Sequence, residues 1–221
     1  MEKTIYPYVA WAFPIANALF LKSAQGVEHI PTQGPVILAS NHISVPDEGV
    51  MAGVVYGKIR KPVWYIARDD YWWGRWWTVP LKNALATLLV DWRSPAEVLK
   101  EAEAILKEGG VVGMYPEGTR NTDGRALCVG KTGVARLALA TNAPVVPVGY
   151  TGPAIARLRD VIREFVFKRN TATLRFGPAV DLSAYRGKPV TRELLYRATD
   201  DIMAAIGALC GKRPRLHEYA P

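Results

Sequence analysis

The sequence predicts an α/β fold in one domain, a mixed central sheet covered by helices on both faces, preceded by an apolar N-terminal helix. Three observations predict it. Short, branched apolar runs recur along the chain and have the length and composition of buried strands. Segments with apolar residues at helical spacing lie between them, an alternation that places helices against a sheet. The 221 residues, 49% of them hydrophobic and without a break in composition, suffice for one sizeable core.

Strands are expected at residues 35 to 40, 63 to 67, 87 to 91, 111 to 115, 145 to 150 and 172 to 176. The turn Ser44-Val45-Pro46-Asp47 carries a helix-start signature of hydroxyl, proline and acid, so a helix begins after Pro46. From Pro95 to Lys107 the residues Val98, Ala102, Ile105 and Leu106 share a face, with Ser94 as cap and Gly109-Gly110 as terminator. Helices are also expected over Thr132 to Ala140 and Thr191 to Leu209; the second gathers Leu194, Leu195, Ala198, Ile202 and Ile206 on one side.

The net charge of +8 and pI near 9.5 favour anionic partners without choosing among them. Lys and Arg are dispersed, with no basic run before Lys212-Arg213-Pro214-Arg215, which argues against a nucleic-acid interface. The two cysteines, Cys128 and Cys210, have neither metal spacing nor a disulfide framework, and a packing role is expected for Cys128. The cluster Tyr71-Trp72-Trp73-Gly74-Arg75-Trp76-Trp77 combines amphipathic rings with a cation, a mix suited to a membrane–water boundary. Ile5 to Leu21 is nearly all apolar but interrupted by Pro7, Pro14 and Asn17, and it is short for a span, so it reads as an interfacial anchor. The prolines, and Glu2 beside Lys3, weigh against a signal peptide.

His42 and Asp47 carry the chemistry. His42 follows the strand Pro35-Val36-Ile37-Leu38-Ala39, which places it at the strand edge where open α/β sheets gather ligands. An imidazole takes a proton from a hydroxyl near neutral pH when a carboxylate on its other nitrogen fixes the tautomer. A substrate bringing its own hydroxyl then makes a protein nucleophile unnecessary. The strand expected over 111 to 115 runs into the turn of Tyr115-Pro116-Glu117-Gly118-Thr119-Arg120, whose guanidinium and N–H groups suit a phosphate monoester. Leu88-Leu89-Val90-Asp91-Trp92-Arg93 sets another Arg beyond another strand, and Ala143 to Val148 is a proline-flanked apolar strand with a core role.

Taken in order, Asn41-His42 to Asp47, Val90 to Arg93, Tyr115 to Arg120 and Val145-Val146-Pro147-Val148 resemble the four blocks of the glycerophospholipid acyltransferases, and most closely the bacterial 1-acyl-glycerol-3-phosphate acyltransferases. The resemblance covers about residues 30 to 180. Leu88-Leu89-Val90 lacks the glycine and aromatic usual in the second block, and Tyr115 stands where Phe is common.

The resemblance implies that His42 is the catalytic base and Asp47 its partner, with Arg93, Glu117, Gly118 and Arg120 in blocks that bind the glycerol phosphate. Arg68 stands where a basic residue near the acceptor phosphate is common, and Lys131-Thr132-Gly133 matches a further family feature. It implies an acyl-CoA or acyl carrier protein donor, and lysophosphatidate or glycerol 3-phosphate as acceptor. A thioester is already activated and the sequence has no ligand cluster, so no cofactor or metal is expected, and the apolar N-terminus with the aromatic cluster points to a membrane surface as partner and a place on the cytoplasmic face of the cell membrane. Residues 1–25 form the expected membrane-interface segment and 26–221 the acyltransferase domain. Rival readings are an acyl thioesterase, which has no use for a phosphate clamp, and a non-catalytic basic module that binds lipid or nucleic acid.

Overall fold

The structure, a computed structural model, describes residues 4–9, 11–44, 46–68, 84–90, 95–155, 160–161, 163 and 169–219. Within them a seven-stranded sheet forms from β1 (Leu21–Gln25), β2 (Val36–Ser40), β3 (Val63–Arg68), β4 (Thr87–Val90), β5 (Val111–Met114), β6 (Val145–Thr151) and β7 (Ala172–Phe176). The spatial order is β1-β7-β6-β2-β5-β3-β4, parallel throughout except where β7 pairs antiparallel with β6. The expected mixed sheet is present. β2 lies at its centre with all five residues buried, as a continuous apolar run predicts for a strand covered on both faces.

The helices are α1 (Tyr6–Val9), α2 (Ala12–Phe20), α3 (Asp47–Ile59), α4 (Pro95–Lys107), α5 (Gly133–Thr141) and α6 (Arg192–Cys210). α2 packs on α3, whereas α4, α5 and α6 form a separate run of neighbours, α6 lying against β6. The expected inward faces are buried: Val98, Ala102 and Leu106 on α4, and Leu195, Ala198, Ile202 and Ile206 on α6. The Thr191 side chain caps α6 by accepting the Leu194 N–H at 3.1 Å, and Gly211 in the left-handed region ends it.

Two features differ from expectation. The N-terminal stretch is two short helices rather than one, and residues 21–25 add β1 to the sheet edge beside β7. Strand character is hard to read in Leu21-Lys22-Ser23-Ala24-Gln25, because an edge strand exposed on one side lacks an apolar run. The proposed hydroxyl cap is also absent: α3 starts after Pro46 without a side-chain cap, and Ser44 Oγ instead accepts the Ile155 N–H at 3.2 Å. The proposed Ser94 cap, Asp91 and the Trp72–Trp77 cluster lie outside the described residues.

β6 and α6 approach closely at Gly149, where a Cβ would lie 2.6 Å from the Leu209 carbonyl carbon and 2.7 Å from the Cys210 nitrogen. Backbone atoms held by a 19-residue helix yield little, so Gly149→Ala overpacks the interface at a cost of about 1–3 kcal/mol. At about 2–4 °C per kcal/mol for a chain of this size, thermal unfolding followed by circular dichroism should show a clearly lowered Tm. An unchanged Tm contradicts this packing.

Candidate active site

The five mutually parallel strands end at one edge of the sheet, and the turns leaving them carry the residues singled out by the sequence. From β2 the chain passes Ser40-Asn41-His42-Ile43-Ser44 before entering α3 at Asp47. Asn41 is fully buried and fastens this turn to the end of β6: its Nδ2 donates to the Tyr150 carbonyl at 3.0 Å, and its Oδ1 accepts the Tyr150 N–H at 2.8 Å. A side-chain amide thus continues the strand pairing where the backbone has turned away.

Asp47 folds back as the sequence suggests. Its Oδ2 accepts the Ile43 N–H at 2.8 Å and the Ser44 N–H at 2.9 Å, and lies 3.2 Å from His42 Nδ1. The carboxylate is 2% exposed and the imidazole 16%, so the acid is sealed inside while the ring still reaches solvent. One face of the His42 ring stacks on Tyr115, with centroids 4.2 Å apart, and Tyr65 stacks in turn on Tyr115. This aromatic pile fixes the imidazole plane, a role the sequence did not reveal for Tyr115 or Tyr65.

The turn after β5 is built on Glu117. Its buried carboxylate accepts the Asn121 amide at 2.6 Å, the Cys128 N–H at 2.8 Å and the His42 N–H at 3.4 Å. Asn121 N–H donates to the His42 carbonyl at 2.7 Å. Glu117 was expected to meet the acceptor. It is instead turned inward, because three N–H donors of its own turn and of the His42 turn satisfy it there. Gly118 has φ +66°, a left-handed conformation, and a Cβ on it would meet Lys131 Nζ at 2.5 Å. The Lys131 side chain therefore lies across Gly118, which puts the Lys131-Thr132-Gly133 feature at the same turn.

Arg120 leaves this turn with its charge felt at Glu48, the residue after Asp47. Burial pushes the Glu48 carboxyl up, and the Asp47 carboxylate adds to the rise while the Arg120 guanidinium opposes it. Sequence reasoning missed Glu48, which reads as an ordinary acid in a first helical turn. His42, Asp47, Glu117, Gly118 and Arg120 thus meet at one site. The Arg68 backbone ends β3 at the same edge, paired with Val90, while its side chain and the whole of Arg93 lie outside the described residues. Cys128 is no rival nucleophile: burial and the Glu117 carboxylate push its thiol up, away from the reactive thiolate.

A family model described as Acyltransferase matches residues 23–151, more than half of the chain. The 1-acyl-sn-glycerol-3-phosphate acyltransferase of Bacillus subtilis is 27% identical over 190 residues, which cover 86% of this chain and 88% of the relative. The chloroplastic 1-acyl-sn-glycerol-3-phosphate acyltransferase BAT2 of Brassica napus is 32% identical over 146 residues, 64% of this chain. Those residues are 40% of the Brassica protein, so the chain spans about two fifths of that relative's length. The crystal structure of the 1-acyl-sn-glycerophosphate acyltransferase of Thermotoga maritima superposes with a TM-score of 0.62 at 22% identity, covering 92% of this chain and 80% of the other, a likeness of fold. Since the matched segment holds the His42–Asp47 turn, the Glu117 turn and, in full, every strand except the neighbours β1 and β7 at one end of the sheet, this chain belongs to the acyltransferase family.

Proposed function

We propose that the protein transfers a fatty acyl group from an acyl thioester, carried by coenzyme A or an acyl carrier protein, to the free hydroxyl of lysophosphatidate, giving phosphatidate. The observation that carries this reading is the 3.2 Å His42–Asp47 pair facing the turn that bears Arg120. A base able to activate an alcohol near a guanidinium matches an acceptor with both a hydroxyl and a phosphate. The relatives' names support the same acceptor. Glycerol 3-phosphate or another lysolipid fits the same chemistry as an alternative acceptor.

In this mechanism Asp47 holds the His42 proton on Nδ1, leaving Nε2 to accept the acceptor's hydroxyl proton as the oxygen attacks the thioester carbonyl. The tetrahedral oxyanion needs N–H donors. Ile43 and Ser44 are spent on Asp47, but the first turn of α3 keeps N–H groups free of intrahelical bonds, its first such bond running from Val50 to Pro46. Expulsion of the thiolate, protonated by the His42 imidazolium, restores the base. Arg120, with Arg68 and Arg93, holds the acceptor phosphate, and Glu117 acts by fixing the two turns rather than by touching substrate.

The reaction takes place at a membrane surface, on the cytoplasmic face of the cell membrane, with the exposed side of α1 and α2 turned to the lipid and the sheet domain carrying the catalysis. The N-terminal helices suit this division. Tyr6, Phe13 and Tyr56 form a ring cluster that docks the segment on α3, and Phe20 is buried. Tyr8, Trp11 and Ile15 remain 78%, 73% and 54% exposed, an apolar stripe with aromatic members fit for the headgroup boundary. Among the described residues no helix is long and apolar enough to cross a membrane.

Thiol release and product mass in the presence of an acyl thioester and lysophosphatidate test the proposal. His42→Ala should lower kcat by roughly a hundredfold or more with the fold retained, and Arg120→Ala should raise the acceptor KM by roughly tenfold or more. A folded, active His42→Ala enzyme, or thiol release independent of acceptor, contradicts it. Separately, replacing Tyr8, Trp11 and Ile15 together with Ser should abolish flotation with anionic liposomes; unchanged flotation rules out the membrane role of this stripe.

A further inference from the structure

Among the described residues, Asp47 Oδ1 and the Tyr150 hydroxyl are both buried, and neither meets a partner at hydrogen-bond geometry. They belong to one cluster, for the Tyr150 phenol lies against Asp47 and Ser44. Tyr150 is 1% exposed, and its main chain is pinned by the Asn41 side chain through bonds of 3.0 and 2.8 Å. Ser44, on the other side of His42, is tied through Oγ to Ile155, just beyond β6. The end of β6 is therefore fastened to the His42 turn on both sides, which holds the phenol at the carboxylate.

A buried carboxylate oxygen left unpaired is costly, and so is a buried phenol O–H. A bond between the two would satisfy both and would be charge-assisted, the strong kind for a hydroxyl and a carboxylate. We propose that Tyr150 is a positioning residue of the acyl-transfer site, its hydroxyl donating to Asp47 Oδ1 and completing a Tyr150–Asp47–His42 chain. This rests on the function proposed above. Oδ2 is already shared by the His42 ring and two N–H groups, so a donor on Oδ1 fixes the carboxylate plane and its aim at the imidazole. Burial and the Asp47 charge push the Tyr150 phenol up, which keeps it a donor throughout the working range.

The bond also moderates the base. A donor on Oδ1 draws negative charge from Asp47 and weakens its hold on the imidazolium. Without it the imidazolium is more stable, so His42 stays protonated to higher pH and the acid limb of activity moves upward. Among the described residues, the other ionisable groups around this pair are Glu48 on α3, Tyr65 on β3, and Tyr115, Glu117 and Arg120 beyond β5. Tyr150→Phe changes none of them.

The test is Tyr150→Phe, which keeps the ring and removes the donor, with Tyr185→Phe as control because the Tyr185 hydroxyl donates instead to Asp201 on α6. Tyr150→Phe should lower kcat about tenfold, leave the acceptor KM unchanged, and move the acid limb of kcat/KM up by roughly half a pH unit or more. The His42 titration midpoint, followed by NMR without substrate, should move in the same direction, and the control should match wild type in both. A wild-type midpoint in folded Tyr150→Phe overturns the proposal, whatever happens to kcat. If the wild-type protein released no thiol with any lysolipid or glycerol phosphate, the function would fall instead, and the NMR midpoint would still decide on Tyr150.

Discussion

A carboxylate sealed from water has to be satisfied by donors, and the Asp47 side chain sets the geometry of everything near it for that reason. Two main-chain N–H groups and an imidazole nitrogen converge on one of its oxygens. Bonds to a charged acceptor contribute about 1.5–3 kcal/mol each, so the chain between β2 and α3 has little freedom left. The same bonds that stabilise the charge aim the His42 ring. The negative charge also sits in the first turn of α3, where the helix dipole favours it.

The sheet supplies what a single turn cannot. Parallel strands send their exits to one edge, so the His42 turn, the Glu117 turn and the end of β6 become neighbours although they are far apart in sequence. Buried polar side chains then lock the neighbours together. Asn41 ties the first turn to β6, and Glu117 ties it to the second. These bonds cost nothing in solvent competition because water is excluded, which is why short polar side chains suffice to hold a site assembled from three strands.

Much of this was legible in the sequence. Branched apolar runs marked the buried strands, and Val98, Ala102 and Leu106 marked the inner face of α4, because periodicity reports burial directly. The His42–Asp47 pair could be read because both ends lie in one short turn. What the sequence hid depends on distant partners. Glu117 looked like a substrate ligand, and only the fold shows that its carboxylate faces inward to His42, Asn121 and Cys128. Nothing local says that the Tyr115 ring stacks on His42, that Tyr65 stacks on Tyr115, or that Tyr150 lies against Asp47. Strand β1 was missed because an edge strand has only one covered side.

The function proposed above requires Asp47 to hold the proton of neutral His42 on Nδ1, leaving the other nitrogen to act as the base. Nitrogen NMR of protein labelled at its three histidines reads this directly, the His42 signals being assigned by substitution. At neutral pH the His42 ring should be in the Nδ1–H form, and Asp47→Asn should shift the tautomer balance. An Nε2–H ring, or a tautomer indifferent to Asp47→Asn, would contradict the account.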